Sequence, residues 1–410
     1  MKVIATTVGV SLYENYLKGN GDIKEHYQSL KEERYSSYDS RRERISKLKL
    51  AVKDFIKEKG QEASAETKSI AKIHKKLGEP IEVRLIATDT ILSAVAAELL
   101  SETGCGVGVE THFNPSRDVI NGLQVADAAY YREDGSRGLF RHLYQLNDEC
   151  GGNMAINMTG GFKATIPLLT IFGQINGISI YYIFENTDAL IEIPQAPIDI
   201  DWSVFDAHAG LFSRLDKEDV IELPEKDMTK KHPELEALLE VSGEYLSLNA
   251  LGTILWLRYK AKRETVYFSE RAREGLDELS DKDKLALFKS LSVLKKKLLE
   301  NSDDPSLKHP LKDIELPAGY YCYKTVAEGK QARIVWSKNN WVTKYRTTEI
   351  DLYIASFYMG SEVHNADTEY VNKLRSLLKS DDGRTFDKGQ FDLVTFGKSG
   401  RSVSLEVGNV

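Results

Sequence analysis

The most informative segment of the 410-residue sequence is residues 154–176, MAINMTGGFKATIPLLTIFGQIN. MAIN is typical of a short buried strand, and the apolar run after the glycines is typical of a helix. Gly160 and Gly161 allow backbone N–H groups to approach a ligand closely, and the start of a helix favours a negative group. Thr159 adds a hydroxyl and Lys163 a positive charge. The segment predicts an anion-binding loop; a glycine-bearing turn with an exposed lysine is the alternative.

Strand-like and helical runs alternate on both sides of this loop. The strand-like runs are Lys2–Val8, Glu82–Ala87, Val107–Phe113 and Ile178–Phe184, and the sequence ILSAVAAELLS after the second one is helical. The charged and tyrosine-rich stretch Asp22–Lys59 predicts a long, mostly solvated helix or a helical insert. Strands that alternate with helices predict an α/β fold whose mostly parallel sheet is covered on both faces.

Polar residues follow three of these strands. In a doubly wound sheet, ligands bind outside the carboxyl ends of the strands. Ser11 is expected to cap the helix that follows the first strand and to meet a phosphate or a base, with ordinary capping as the alternative. The candidate ligand-binding residues are Gly9, Ser11, Asn15, Thr88, Thr159, Gly160, Gly161, Phe162 and Lys163.

The pattern changes in the second half of the chain. Residues 232–259 predict a helical hairpin or a segment of a helical bundle. The strand TVYF, a helix from Ser269, a leucine-rich helix and four strand-like runs follow: GYYCYKTVA, ARIVWS, WVTKYR and IDLYIASFY. This order predicts an α+β unit of roughly 115 residues. The polar tail 380–410 carries two weak strand-like runs, FDLVTF and SVSLEV.

The strand-like runs between Tyr320 and Arg346 are basic and aromatic. This stretch contains six basic residues and a single acid, Glu328, although the net charge of the whole chain is −7. Six aromatic residues are interleaved with the basic ones. The basic residues are Lys324, Lys330, Arg333, Lys338, Lys344 and Arg346. Cations hold phosphates and rings stack on unpaired bases, so the pattern predicts an RNA-binding surface. A half-exposed sheet with solvated lysines is the alternative.

RNA cleavage at such a surface needs no metal. The sequence has no HExxH motif and no tight His/Cys/Asp cluster, so we expect neither a metal site nor a cofactor. RNA is cut when its 2′-OH attacks the adjacent phosphate, provided that the protein aligns the backbone, stabilises the charge and moves two protons. Arginine and lysine supply charge, and a lysine among cations has a lowered pKa and can act as a base.

Composition bounds the remaining possibilities. The length predicts two or three domains, and 41% hydrophobic with 29% charged residues is typical of globular proteins. Three widely spaced cysteines argue against a disulfide framework. We expect a cytoplasmic protein with no membrane association, since no long apolar run or signal-peptide pattern is present. The net charge argues against a nucleic-acid binder that is basic all over, but it leaves room for a local basic site.

The first half resembles the CARF domains of CRISPR-associated effectors. The resemblance lies in VGVSLYEN at 8–15, TDTILSAVAAEL at 88–99 and MTGGFKA at 158–164, and covers about residues 1–200. It implies a Rossmann-like domain over 1–224 that forms a homodimer. It also implies that a cyclic oligoadenylate, most often cyclic tetra-adenylate, binds across the dimer axis.

Residues 264–378 resemble the RelE family of toxin ribonucleases, which cleave mRNA on the ribosome. The matching segments are TVYFSERAREGLDELSDKDK, KHPLKDIELPAGYYCYKTVAEGKQARIVW and HNADTEYVNKL. The resemblance implies catalytic roles for Lys324 and Arg333, with His364 or Tyr370 as the acid. The basic and aromatic pattern predicts that Lys330, Lys344 and Arg346 bind RNA. Tyr323 is expected in the core by strand alternation. Residues 225–263 would form a helical linker, and the role of 379–410 is open.

These resemblances together favour a CRISPR-associated mRNA interferase that is activated by cyclic oligoadenylate and acts on the ribosome. One alternative is a ligand-responsive transcription regulator with a helix-turn-helix at 232–262. That segment begins with the acidic PELEALLE and is basic only at its end, which is unfavourable for a recognition helix. A second alternative is an inactive RelE-like adaptor that only binds RNA or ribosomes.

Overall fold

The computed structural model describes residues 1–124, 126–184, 187–224, 228–311, 314–342, 348–361, 372, 374, 376, 386, 388 and 391–397. The chain divides into two compact units. The first comprises Met1–Ile200 and Asn249–Leu257, and the second comprises Asp201–Leu248 and Arg258–Val410. Each unit is described by itself below.

The first unit contains a six-stranded sheet in the order β3-β2-β1-β4-β5-β6. Its strands are β1 (Lys2–Val8), β2 (Ile81–Ala87), β3 (Val109–His112), β4 (Met154–Asn157), β5 (Ser179–Ile183) and β6 (Leu190–Ile193). All neighbours are parallel except β5 and β6, which are antiparallel. The prediction of a mixed α/β fold with a mostly parallel sheet is confirmed, and the arrangement is compatible with a Rossmann-like domain.

Helices surround this sheet. They are α1 (Ser11–Leu17), α2 (Lys24–Leu30), α3 (Arg42–Lys59), α4 (Ala65–Leu77), α5 (Ile91–Thr103), α6 (Pro115–Asp118), α7 (Ala128–Tyr130), α8 (Ser136–Glu149) and α9 (Ile166–Asn176). Short 3-10 turns at Tyr35–Arg41, Gly60–Glu62 and Lys163–Thr165 and a π-helical turn at Tyr131–Gly135 connect some of them.

Residues 22–59 form a helical insert instead of one long helix, since α2, the 3-10 turn Tyr35–Arg41 and α3 follow one another there. The chain breaks after α2 because the Glu33 carbonyl accepts the Ile91 N–H at the start of α5, and because Arg34 is extended and paired with Asp89. The segment is also less exposed to solvent than predicted, because Leu48 and Val52 of α3 are fully buried.

The second unit follows the order of elements predicted for its larger part. It contains α10 (Ser203–Ala207), α11 (Ala209–Glu218), β7 (Val220–Glu222), α12 (Met228–Lys231), β8 (Leu239–Ser242), β9 (Tyr245–Leu248), the end of α13 (Ala250–Lys262), β10 (Arg263–Phe268), α14 (Glu270–Asp277), α15 (Asp281–Glu300), β11 (Tyr321–Ala327), β12 (Lys330–Val342), β13 (Thr348–Ser361) and β14 (Asp392–Gly397). Residues 233–235 and 305–307 form 3-10 turns.

The larger sheet of this unit has the order β11-β12-β13-β10-β14. Strands β10 and β13 are parallel, and the other neighbours are antiparallel. One core forms where buried leucines of α15, such as Leu291 and Leu294, join Tyr323, Ile334 and Trp336 of the sheet. The RelE resemblance of this unit stays a prediction.

Several predicted boundaries differ from the structure. Residues 225–263 do not form a helical linker, because β8 and β9 pair there with β7 in a small sheet of order β7-β9-β8. The same strands argue against the alternative of a helix-turn-helix at 232–262. Residues 201–224 belong to the second unit instead of the first. ARIVWS and the start of WVTKYR lie in one strand, β12, and FDLVTF of the tail supplies β14, which pairs with β10. SVSLEV lies outside the described residues.

Over the residues that the structure describes, no helix is both long enough and apolar enough to cross a membrane.

Candidate functional site

The first candidate site lies where β1 and β4 end side by side. The Thr7 hydroxyl donates to the Gly160 carbonyl oxygen at 2.6 Å. Gly161 has a φ of +88°, and a Cβ atom there would lie 2.8 Å from Thr7 Cβ. A Cβ atom on Gly9 would lie 2.9 Å from the Gly161 nitrogen. The predicted close approach therefore exists, but the described contacts of these glycines are with the neighbouring loop.

A carboxylate that the sequence analysis missed joins the two loops. Glu66 of α4 is 1% exposed, and its Oε1 accepts the Gly9 N–H at 2.8 Å. Its Oε2 accepts the Ser11 hydroxyl at 2.8 Å. A methyl group on Gly160 would lie 2.6 Å from Glu66 Cδ. Glu66 thus accepts hydrogen bonds from the Gly9 N–H and the Ser11 hydroxyl, and both residues were predicted to contact a ligand.

The structure corrects the capping role of Ser11. Residue Val10 is the N-cap of α1, and no side chain caps that helix. The Ser11 Oγ instead accepts the Ala65 N–H at the start of α4, at 3.0 Å. Asn15 also makes internal contacts, since its Nδ2 donates to the Ala63 carbonyl at 3.2 Å. Both residues lie on the side of the site formed by α4.

The end of β2 agrees with the prediction of hydroxyls at a helix start. The Thr88 N–H donates to Ser93 Oγ at 2.9 Å, and the hydroxyls of Thr88 and Thr90 are 3.0 Å apart. Thr90 caps α5 by accepting the Ser93 N–H. Thr88 and Thr90 therefore sit in the cap, half-buried, at the carboxyl edge of the sheet.

The glycine loop continues into a 3-10 turn before its helix begins. Lys163 is exposed and opens that turn, and α9 starts only at Ile166. The helix start predicted beside Lys163 is thus displaced by three residues, because Pro167 fits the first turn of α9. Thr159 Oγ1 accepts the Ile183 N–H at 3.1 Å, and the Phe162 ring meets Tyr131 edge-on at 5.3 Å.

A cation and an aromatic ring lie beside the end of β2. The Arg34 guanidinium pairs with Asp89 at 2.9 Å and lies 4.6 Å from the centre of the Tyr130 ring. The hydrogen bond to Asp89 raises the pKa of Arg34. The Arg34 side chain is about half exposed, so it can contact a ligand as well. The many charged residues in 22–59 were the sequence signal for a cation such as Arg34, but the segment was interpreted as solvated helix surface.

The second candidate site lies on the hairpin of β11 and β12. Lys324 and Arg333 are directly opposed across these strands and therefore share a face of the sheet. Lys324 is exposed, whereas Arg333 is 2% exposed. Tyr323 belongs to the core under α15, as strand alternation predicts.

The other residues predicted for this site are not brought together with this pair. Lys330 is three positions from Arg333 on the same strand, so it faces the opposite side of the sheet, where it pairs with Asp283 at 3.1 Å. Lys344, Arg346, His364 and Tyr370 lie outside the described residues.

A histidine without a predicted role lies next to the pair. The backbone N–H of His309 donates to the backbone carbonyl of Cys322 on the edge strand β11 at 2.7 Å. Burial, and then the charges of Arg333 and Lys324, hold the pKa of His309 below its ordinary value of 6.5. Its imidazole is therefore a neutral base at pH 7, close to two cations. Burial raises the pKa of Cys322 to about 12, so its thiol is not a nucleophile.

A third group contradicts the expectation that the chain has no tight cluster of metal-ligating side chains. His208, His232 and Glu234 lie together in the second unit, with their nearest ligand atoms within 4.8 Å of one another. The sequence analysis missed this group because the two histidines have 23 residues between them and form no short motif.

Residues 61–196 match the model of a family described as a CRISPR-associated protein (Cas_APE2256). The match covers about a third of the chain and includes Glu66, β2, β4 and the TGGFK loop. Strand β1 and the larger sheet of the second unit lie outside it. This similarity supports a CRISPR-associated protein with a role in CRISPR defence.

Proposed function

We propose that this protein is a ribonuclease of CRISPR defence that is switched on by a cyclic oligoadenylate, with cyclic tetra-adenylate as the first candidate. The first unit would bind the activator and the second would cut mRNA on the ribosome. The observation that carries the proposal is the grouping of Lys324, Arg333 and His309 on one hairpin and its edge. The match of the first unit to a CRISPR-associated family supplies the biological setting.

The proposed activator site uses the carboxyl ends of β1, β2 and β4. Lys163 and Arg34 offer positive charge there, and Phe162, Tyr130 and Tyr131 offer rings on which adenines can stack. A symmetric ring that is read by one set of loops per chain requires two chains, so the proposal includes a homodimer. Light scattering that finds a monomer with and without the activator would contradict this part.

The proposed reaction is an internal transesterification of RNA. The 2′ oxygen attacks the adjacent phosphorus and the bond to the 5′ oxygen breaks, which leaves a 2′,3′-cyclic phosphate and a 5′-hydroxyl. His309 would take the 2′-OH proton, since its lowered pKa keeps it neutral at pH 7. Arg333 and Lys324 would stabilise the charge on the phosphorane. His364 or Tyr370 remains the predicted donor of a proton to the 5′ oxygen.

The decisive experiment incubates the full chain with translating ribosomes and mRNA, with and without cyclic tetra-adenylate, and maps the cuts. Loss of one charge-stabilising group costs about 10²–10³ in rate, so Arg333→Ala and Lys324→Ala should each abolish practical cleavage. Lys296→Ala is the control, because it removes an exposed lysine on α15. Circular dichroism checks that the buried Arg333 can be replaced without unfolding.

The outcomes separate the proposal from its alternatives. Cuts that depend on Lys324 and Arg333 support a ribonuclease. Ribosome binding without cuts would favour an inactive adaptor, and activator-dependent binding to DNA would favour a transcription regulator. Full activity of the double variant Lys324→Ala/Arg333→Ala would overturn the catalytic assignment.

A further inference from the structure

Two histidines and a glutamate converge at a place remote in sequence from the proposed catalytic residues. His208 lies at the junction of α10 and α11, while His232 and Glu234 flank the start of the 3-10 turn 233–235. Nε2 of His208 is 3.1 Å from Oε1 of Glu234, and Nδ1 of His232 is 3.2 Å from the same oxygen. The two imidazole rings are 4.8 Å apart at their centres and nearly perpendicular.

The two nitrogen–oxygen distances fit two edges of a small coordination polyhedron, and the ligand atoms of all three residues lie within 4.8 Å of one another. Zn²⁺ binds imidazole nitrogen and carboxylate oxygen at about 2.0–2.1 Å, which places neighbouring ligands of a tetrahedral ion about 3.3 Å apart. The perpendicular rings direct nitrogens from different sides toward one carboxylate oxygen. Two imidazoles with one carboxylate are a donor set that borderline divalent ions prefer over Mg²⁺ or Ca²⁺.

The electrostatics and exposure agree with an ion-binding role. The Glu234 side chain supplies a carboxylate oxygen that both imidazoles approach. The side chains of His208, His232 and Glu234 are 17%, 44% and 38% exposed, respectively. An ion can therefore enter from solvent, and a water molecule can complete a fourth position.

We propose that His208, His232 and Glu234 bind one zinc-class divalent ion. The ion would clamp the α10–α11 junction to the turn at 233–235 and close the loop that contains α11 and β7. An ion that binds only the folded chain stabilises it. This inference does not depend on the proposed ribonuclease function, because it concerns other residues and is tested without RNA.

The first test measures metal binding to the full chain after treatment with a chelator and desalting. Calorimetric titration with Zn²⁺ should show one site per chain with a Kd in the micromolar range or below. Co²⁺, used as a spectroscopic substitute, should give the intense visible absorption of tetrahedral coordination. Absence of saturable Zn²⁺ binding, or a weak octahedral Co²⁺ spectrum, would overturn the proposal.

The second test assigns the ligands. His208→Ala, His232→Ala and Glu234→Gln should each weaken Zn²⁺ binding at least tenfold and remove the increase in Tm that Zn²⁺ gives the unaltered chain. His112→Ala is the matched control, because His112 lies 4.0 and 3.9 Å from carboxylates of Glu82 and Glu110 without a second histidine in that group. Unchanged Zn²⁺ affinity in His232→Ala and Glu234→Gln would refute the site, even if His208→Ala fails to fold.

Discussion

At the scale of single residues, Glu66 changes how the glycine loop is understood. The sequence predicted close backbone approach at Gly160, and that approach exists, but it is to the Glu66 side chain. The same carboxylate occupies the Gly9 N–H and the Ser11 hydroxyl. The sequence could not show this, because Glu66 comes from a different helix and its only local signal is a position in the first turn of α4.

This arrangement predicts opposite effects on activator affinity. Lys163→Ala should weaken binding of cyclic tetra-adenylate, because a charge-assisted hydrogen bond contributes about 1.5–3 kcal/mol. Glu66→Gln should strengthen it, because a negative group beside a phosphate is removed. Calorimetry on both variants checks the signs. Lys75→Ala, which removes an exposed lysine on α4, is the control, and an unaltered affinity in Lys163→Ala would contradict the assignment.

His309 gives a pH-dependent prediction at the same scale. Its pKa lies below 6.5 in the folded chain, partly because Lys324 and Arg333 are cationic. The neutral base is lost on acidification, so cleavage should fall only below pH 6.5, and His309→Gln should abolish that dependence together with most activity.

Lys324→Ala removes one positive charge and should raise the His309 pKa, as measured by NMR titration. Lys296→Ala should leave the His309 pKa unchanged, and an equal shift in both variants would refute the electrostatic effect of Lys324 on His309.

At the scale of elements, short apolar segments were the hardest to assign to helix or strand from the sequence. The sequence LEVSGEYLSL was interpreted as helix, whereas it forms β8 and β9 around Gly243, whose φ is +64°. Short apolar runs fit both periodicities, and pairing with β7 decides between them. Similarly, ARIVWS and WVTKYR were predicted as two separate runs, but Lys338–Asn340 between them pair with β13 and so join both runs into β12.

The end of α13 allows an element-scale prediction. Tyr259 is buried, and its hydroxyl donates to Asp206 at 2.7 Å and lies 3.2 Å from the Thr395 hydroxyl. Tyr259→Phe should lower the free energy of unfolding by about 1–3 kcal/mol, because a buried hydrogen-bonding group loses its partner. Denaturant unfolding of the full chain measures it. Tyr245→Phe, at an exposed tyrosine, should stay within about 0.5 kcal/mol, and an equal loss in both variants would contradict the argument.

At the scale of the whole molecule, the second unit is larger than the sequence suggested. Lys260 pairs with Asp216 at 2.6 Å and with Glu349 at 3.0 Å, and Lys217 pairs with Asp351. These contacts tie α11 and α13 to the larger sheet of the same unit. The boundary predicted at residue 264 separates Lys217 and Lys260 from their partners on the larger sheet. The sequence could not reveal this, because contacts between distant segments have no local sequence signal.

The minimal active fragment should therefore be 201–410 instead of 264–410. The longer fragment should carry Ile254→Gln, because that side chain packs in the core of the first unit and would otherwise be exposed. We expect 201–410 to be folded by circular dichroism, and 264–410 to be markedly less stable because it lacks Lys217, Tyr259 and Lys260.

Activity of the longer fragment then distinguishes two modes of regulation. An activator shifts a conformational equilibrium only if it binds one state better than the other. If the first unit restrains the second, removing it should leave a ribonuclease that cuts mRNA on ribosomes without cyclic tetra-adenylate. We expect this outcome from the predicted RelE resemblance of residues 264–378, because RelE-type ribonucleases act as single domains. A folded but inactive fragment, beside a full chain that cuts in the presence of the activator, would instead mean that the first unit positions two catalytic copies.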